Sequence, residues 1–404
     1  MVVKGPEGTM GMERPDSGLY PADRLDLAAA AARQAGLTAL LLTPGPDLRY
    51  LTGYDAQQLE RLTCLAVPAA AEDRVGEGRV GEGRVGGAKR PFFVVPRLEL
   101  PAAQASSAGG LGLEIIPWDE TDDPYALLAE RLGAAGREGP VGLSDRMWAL
   151  MVLRLRDALP GARQDLASTA LRSMRMRKTP AEVAALRAAG EAIDRVHARV
   201  PGWLRAGRTE RQVAADIADA ILEEGHARVD FTIVGSGPNA ASPHHEVSDR
   251  VLQAGDAVVV DIGGTMPSGY CSDCTRTYVI GAPSPEFAAY YQVLRDAQQA
   301  AYAAVQAGVT AEAIDAAARE PITAAGYGEY FVHRTGHGIG LEPHEDPYIV
   351  SGNAEPLRPG MTFSIEPGIY PGPHGARIED IVVCTEQGGE RLNNGSRELV
   401  SVEP

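Results

Sequence analysis

Four acidic residues stand in or directly after apolar runs, where a charge is costly. Asp261 follows Ala-Val-Val-Val, and Asp273 comes twelve residues later inside Gly-Tyr-Cys-Ser-Asp-Cys-Thr-Arg-Thr-Tyr (269–278). Glu366 ends Met-Thr-Phe-Ser-Ile and precedes Pro367-Gly368, and Glu379 lies within Ala-Arg-Ile-Glu-Asp-Ile-Val-Val (376–383). Any one of them alone reads as a turn, cap or strand-edge residue. As a set they do not, because an isolated carboxylate is expensive to bury and two such groups on paired strands repel unless a cation lies between them. The run His-Arg-Thr-Gly-His-Gly-Ile-Gly-Leu-Glu-Pro-His-Glu-Asp-Pro (333–347) adds His333, His337 and His344, three of the eight histidines, with His337 between glycines. Four carboxylates and one imidazole suit a pair of divalent cations, with Mn2+, Co2+ or Fe2+ favoured by the oxygen-rich donor set and Zn2+ an alternative. Two such ions about 3.5–4 Å apart activate water and polarise a carbonyl, so hydrolysis is the expected chemistry. Nearby histidines would then act as acid–base or oxyanion groups.

Cys271-Ser272-Asp273-Cys274 is also a C-x-x-C. A structural zinc site wants four Cys or His, usually as two close pairs, and Cys64 and Cys384 are isolated. A redox pair opens a helix after a strand, whereas this one sits in an apparent hairpin. In a regular strand Cys271 and Asp273 share one face and Ser272 and Cys274 the other, so the thiols point apart. The chemistry is assigned to the Asp between them.

These residues must be carried by particular elements. Strands are expected at 256–264 and 275–281 as a hairpin, helices at about 285–307 and 310–325, and strands at 361–370 and 376–386. Thr179-Pro180-Ala181-Glu182 opens a helix with Thr as N-cap and Pro at the first position. A second helix, capped near Thr209 and Glu210, runs to Glu224. Ahead of this α+β unit, residues 25–42 read as a helix, a Gly stop and a strand, 43–54 as turn-rich then extended, and 61–70 and 90–100 as strands. Helix and strand patterns alternate to about residue 165, the signature of a small α/β domain. The expected organisation is a flexible leader at 1–24, an α/β domain at 25–168 and a catalytic domain at 169–404. A pentapeptide repeat, Arg-Val-Gly-Glu-Gly twice and then Arg-Val-Gly-Gly-Ala, makes 74–90 a flexible hairpin insertion.

Composition narrows the partners. The 404 residues carry a net charge of −16, which disfavours nucleic acid and anionic membrane. Gly (46) and Pro (29) are about a fifth of the chain, compatible with a globular protein. The N-terminus lacks the apolar segment of a secretory signal, and no apolar run approaches the ~18 residues of a membrane span. Four cysteines are too few for a disulfide framework. The expectation is a cytoplasmic protein.

The order of these motifs resembles the pita-bread metallopeptidase family, which includes methionine aminopeptidase, aminopeptidase P and prolidase. The resemblance rests on VVVDIGG, SDCTRTY, TGHGIGLEPHEDP, SIEPGIY and ARIEDIVV, in that order, over about residues 175–400. LTALLLTPGPDLRYLTGY is similar to the creatinase-like N-terminal domain. The resemblance implies an α/β N-terminal domain and an α+β pita-bread domain with a curved antiparallel sheet. It implies that Asp261 chelates one metal, that Asp273 and Glu379 bridge both, and that His337 and Glu366 complete the other site, Glu366 also accepting a proton. It implies that His244, directly after Pro243, stabilises the tetrahedral intermediate or the leaving proline nitrogen, in preference to His245. His344 would contact the scissile carbonyl, His333 would line the substrate pocket, and Tyr370 and Arg377 would support the ligands beside the substrate. The two Asp are twelve residues apart where many relatives have eleven, which implies a longer turn between them.

All five ligand positions are filled, unlike in metal-free creatinase, and methionine aminopeptidases usually lack an N-terminal domain. The resemblance therefore implies cleavage before proline in a homodimer, by an Xaa-Pro dipeptidase given the modest length and compact N-terminal domain, with aminopeptidase P acting on longer peptides as the alternative. A non-catalytic peptide-binding module on the same fold is the alternative from another class.

Overall fold

The computed structural model describes residues 18–69 and 90–404. The pentapeptide repeat and the first seventeen residues of the expected leader lie outside them. The chain divides into two compact units, residues 1–172 and 173–404. The end of the expected leader is not loose: Leu19 and Tyr20 are buried, and a helix already begins at Asp23.

The first unit is built on a six-stranded sheet of β1 (Ala39–Leu42), β2 (Cys64–Pro68), β3 (Phe92–Pro96), β4 (Glu114–Trp118), β5 (Val141–Leu143) and β6 (Gln164–Leu166), in the order β4-β3-β2-β1-β5-β6. β1, β2 and β3 pair antiparallel and the remaining ladders are parallel. Ala39, Leu41, Cys64, Ala66, Phe92 and Val94 pack against Leu128, Leu132, Met151 and Leu155 of two helices. Residues 43–54 differ from expectation. Pro46–Thr52 is a short helix, because Pro46 presets its first turn and Gly53, at φ 68°, closes it in the left-handed region.

The second unit has two larger sheets. β7 (Arg228–Ser236), β8 (Ala257–Thr265) and β9 (Cys274–Ile280) pair antiparallel, and β17 (Val400–Val402) joins β9 in parallel. The other sheet is antiparallel, in the order β11 (Glu345–Ile349), β10 (Gly336–Gly338), β12 (Thr362–Ile365), β15 (Asp380–Thr385), β16 (Gly388–Arg391). β13 (Gly368–Ile369) and β14 (Ala376–Arg377) form a two-stranded ribbon. The expected strands at 361–370 and 376–386 are thus each broken in two. β7, β10, β11, β16 and β17 were not anticipated; β10 is only three residues and two of them are glycine. Both capping boxes, Thr179 with Glu182 and Thr209 with Gln212, are formed. Among the described residues no helix is long and apolar enough to cross a membrane.

Strand alternation turns the acidic residues away from the helices. Val258, Val260 and Ile262 of β8 pack on Ile193, Val196, Val213 and Ile217 of the helices Pro180–Arg199 and Glu210–Glu223. Asp261, between them in the strand, takes the opposite face. In the other half, Phe363, Ile365, Ala376 and Ile378 join the core beneath the helices Pro285–Ala303 and Ala311–Ala324. Ser364, Glu366, Arg377 and Glu379 are the intervening residues, and the same period turns them away from that core.

Candidate metal centre

Asp261, Asp273, His337 and Glu379 are buried, and the Glu366 side chain is only 14% exposed. Three overlapping groups bring ligand atoms within 4.8 Å of one another: Asp261, Asp273 and Glu379; His337, Glu366 and Glu379; and Asp273, His337 and His344. The sharing of Asp273, His337 and Glu379 makes these one centre, with room in its donor set for more than one ion.

The electrostatics call for cations. Burial, followed by repulsion from Glu379, Asp261 and Glu366, pushes the Asp273 carboxyl well above its ordinary range. Glu379 is pushed up well too, by burial and then by Glu366 and Asp261. Asp261 is raised mainly by burial, partly offset by Arg377. Glu366 goes the other way: burial opposes its charge, but the hydrogen bond and charge of His337 hold it below the usual range. Asp261 Oδ1 and Glu379 Oε1 are buried with no hydrogen-bond partner. Unpaired buried carboxylate oxygens are unfavourable, and a divalent ion would satisfy both.

His337 is oriented for such a role. Its Nδ1 lies 3.1 Å from the Gly338 carbonyl, which can only accept, so Nδ1 carries the proton. Nε2 faces Glu366 Oε1 at 3.1 Å and Asp273 Oδ2 at 3.7 Å, a space that either a proton or a metal ion can bridge. The glycines beside it are steric necessities. A Cβ on Gly336 would stand 1.9 Å from the Ser364 carbonyl oxygen, and one on Gly338 2.1 Å from that of Asp346.

Arg377 is the hub behind the carboxylates. Its guanidinium donates to Asp261 Oδ2, to the Thr275 hydroxyl (3.1 Å), to the Tyr370 hydroxyl (2.9 Å) and to the Pro243 carbonyl (3.2 Å). Tyr370 in turn lies 3.1 Å from His333 Nε2, and His333 Nδ1 is 2.7 Å from the Arg334 carbonyl. That carbonyl fixes the proton on Nδ1, so Nε2 accepts from Tyr370 and the ring is neutral. Burial, the leading cause, lowers the His333 pKa accordingly. His344 is exposed, its ring centroid 4.0 Å from that of His337. His244 is exposed as well. The two cysteines take no part in the ligand groups. Cys271 contacts the Thr265 hydroxyl, and Cys274 the Glu379 carbonyl.

Two supporting residues were not singled out from the sequence. Thr275 donates to Glu379 Oε2 at 2.8 Å, and the Ser364 hydroxyl donates to Glu366 Oε1 at 3.0 Å while accepting from the His337 amide at 2.9 Å. The only sequence signal for either is its place two residues from an acidic one, on the same strand face.

The chain matches Metallopeptidase family M24 over residues 184–386 and the Creatinase/Prolidase N-terminal domain over residues 24–177. It is 55% identical over 396 residues to the "Probable dipeptidase PepE" of Mycobacterium tuberculosis, covering 97% of this chain and 99% of the relative. It is 36% identical over 376 residues to the "Xaa-Pro dipeptidase" of Lactobacillus delbrueckii subsp. lactis, covering 91% and 95%. The crystal structure of dipeptidase PepE from Mycobacterium ulcerans superposes with a TM-score of 0.87 at 55% identity, covering 97% of this chain and 100% of that one.

Proposed function

This chain belongs to metallopeptidase family M24, and on that premise we propose that it is an Xaa-Pro dipeptidase using two divalent cations. The observation that carries the reading is the set of overlapping donor groups around Asp273, His337 and Glu379, with buried oxygens of Asp261 and Glu379 left unpaired.

Asp261, Asp273, His337, Glu366 and Glu379 would hold the ions, with Asp273 and Glu379 shared between them. When bound, the ions supply a Lewis acid for the scissile carbonyl and a water made acidic enough to attack at neutral pH. Glu366 takes up the proton that the attacking water gives off. It is ionised, and so has a carboxylate oxygen that can receive one. His244 and His344, both exposed, donate hydrogen bonds to the charge that develops on the substrate. Arg377 and Tyr370 keep Asp261 and His333 in place.

A dipeptidase must also receive a free carboxylate beyond the proline. Arg334 fits that need: it is half-buried, stacks 4.5 Å from the Tyr348 ring, and its charge bears on His344. Among the described residues it has no ion-pair partner. This favours dipeptides over longer peptides. The proposal includes manganese as the native ion, a homodimer and a cytoplasmic setting, all three resting on the family resemblance.

The test is metal content by mass spectrometry, followed by hydrolysis of Ala-Pro, Met-Pro and Ala-Pro-Ala with added manganese. Two ions per chain with cleavage of the dipeptides alone is the expected result. Cleavage of Ala-Pro-Ala would replace the reading with aminopeptidase P. Two bound ions and no cleavage of any peptide would make the chain a peptide-binding module.

A further inference from the structure

His244 lies in a stretch, 242–250, that has no helix or strand of its own. Such a segment holds a side chain in place only if it is tied down from outside. Two ties bracket this one. On one side Arg377 donates to the Pro243 carbonyl at 3.2 Å. On the other stands Glu210, the first residue of the helix Glu210–Glu223 and fully buried.

The Glu210 carboxylate gathers six donors. Its Oε1 accepts from the Ser236 amide (2.8 Å), the Ser236 hydroxyl (2.7 Å) and Asn239 Nδ2 (3.0 Å). Its Oε2 accepts from the Ser248 amide (3.2 Å), the Ser248 hydroxyl (2.6 Å) and His245 Nε2 (2.8 Å). Burial alone would raise its pKa, but the hydrogen bonds from Ser248, Ser236 and His245 overcome this and bring it to about 2. Hydrogen bonds to a charged acceptor are the strong ones. Exposure alternates along the segment: Pro243 and His245 are half-buried, and Ser242, His244 and Glu246 are exposed. Turning His245 inward onto Glu210 therefore turns His244 outward.

We propose that Glu210 is a positioning residue for His244: by gripping His245 and Ser248 while Arg377 grips Pro243, it sets the direction in which His244 meets the substrate. This rests on the peptidase reading, in which His244 acts on the transition state. Misplacing such a group by about an ångström costs on the order of a hundredfold in rate.

The experiment compares the full-length metal-loaded protein with Glu210→Gln, His245→Ala, His244→Ala and the double variant Glu210→Gln/His244→Ala. Expected are a fall in kcat of about ten- to a hundredfold in Glu210→Gln and His245→Ala, with KM and metal content unchanged. Glu210→Gln should cost nothing further once His244 is gone. Hydrogen–deuterium exchange should speed up across 242–250 and stay unchanged over the metal-ligand strands. Equal losses from Glu210→Gln with and without His244, or unchanged exchange in 242–250, would overturn the proposal. Should Glu210→Gln fail to fold, His245→Ala removes the same tie at a half-buried position. If the wild type cleaved no peptide, the peptidase reading would fall, and the exchange measurement would still decide whether Glu210 anchors the segment.

Discussion

Asp261 stands opposite Thr275 across the β8–β9 ladder, and the Thr275 hydroxyl donates to Glu379, 104 residues further along the chain. The same hydroxyl accepts from Arg377, which is paired with Asp261. One neutral side chain therefore touches Glu379 directly and Asp261 through Arg377. Thr275→Val keeps the shape and removes the hydroxyl. Metal affinity is expected to fall about ten- to a hundredfold, the usual loss for a partner of a ligand, and Thr275→Ser should restore most of it. Metal titration by calorimetry checks both.

Without metal, the raised carboxyls of Asp273 and Glu379 make stability depend on pH in a defined direction. A carboxyl raised on folding binds its proton more tightly in the native state. Its contribution is present below the unfolded pKa of about 4 and is lost as pH rises through the higher folded value. Glu366, held low, works the opposite way and loses its contribution only as pH falls through its own folded value. Chelator-treated protein is thus expected to lose Tm as pH rises above about 5, and Asp273→Asn to lessen that loss. A chelated wild type whose Tm falls with pH no more steeply than the variant's would contradict this.

Cys271→Ser and Cys274→Ser should each leave metal content and kcat within about twofold of the wild type, the behaviour of substitutions outside a site. Burial pushes the Cys271 thiol up to about 12 and the Cys274 thiol well above its ordinary value, so neither offers a thiolate at neutral pH. Loss of metal in either serine variant, measured by mass spectrometry, would return the C-x-x-C to the site.

Arg334→Met should raise KM for Ala-Pro by about ten- to a hundredfold, the worth of a charge-assisted hydrogen bond, and change kcat little. Steady-state kinetics decide this. An unchanged KM would remove Arg334 as the receiver of the substrate carboxylate.

The sequence by itself marked Asp261, Asp273, His337, Glu366 and Glu379, because a charge among strand-forming apolar residues needs a reason that is visible without coordinates. The N-caps at Thr179 and Thr209 were legible for the same kind of reason: their hydrogen bonds close within three residues. The helix Pro46–Thr52 was missed although its Pro and Gly ends were in view, since seven residues carry too short a period to outweigh the turn-forming composition. The tertiary structure alone decided which partners surround the acidic groups. Thr275 with Glu379, Arg377 with Pro243, and Glu210 with His245 pair residues 104, 134 and 35 positions apart. It also separated two adjacent histidines, drawing His245 onto a buried carboxylate and leaving His244 exposed. Local pattern reports what a residue costs where it stands. Only the folded chain determines which distant group offsets that cost, because hydrogen bonds depend on position in space and not on order along the chain.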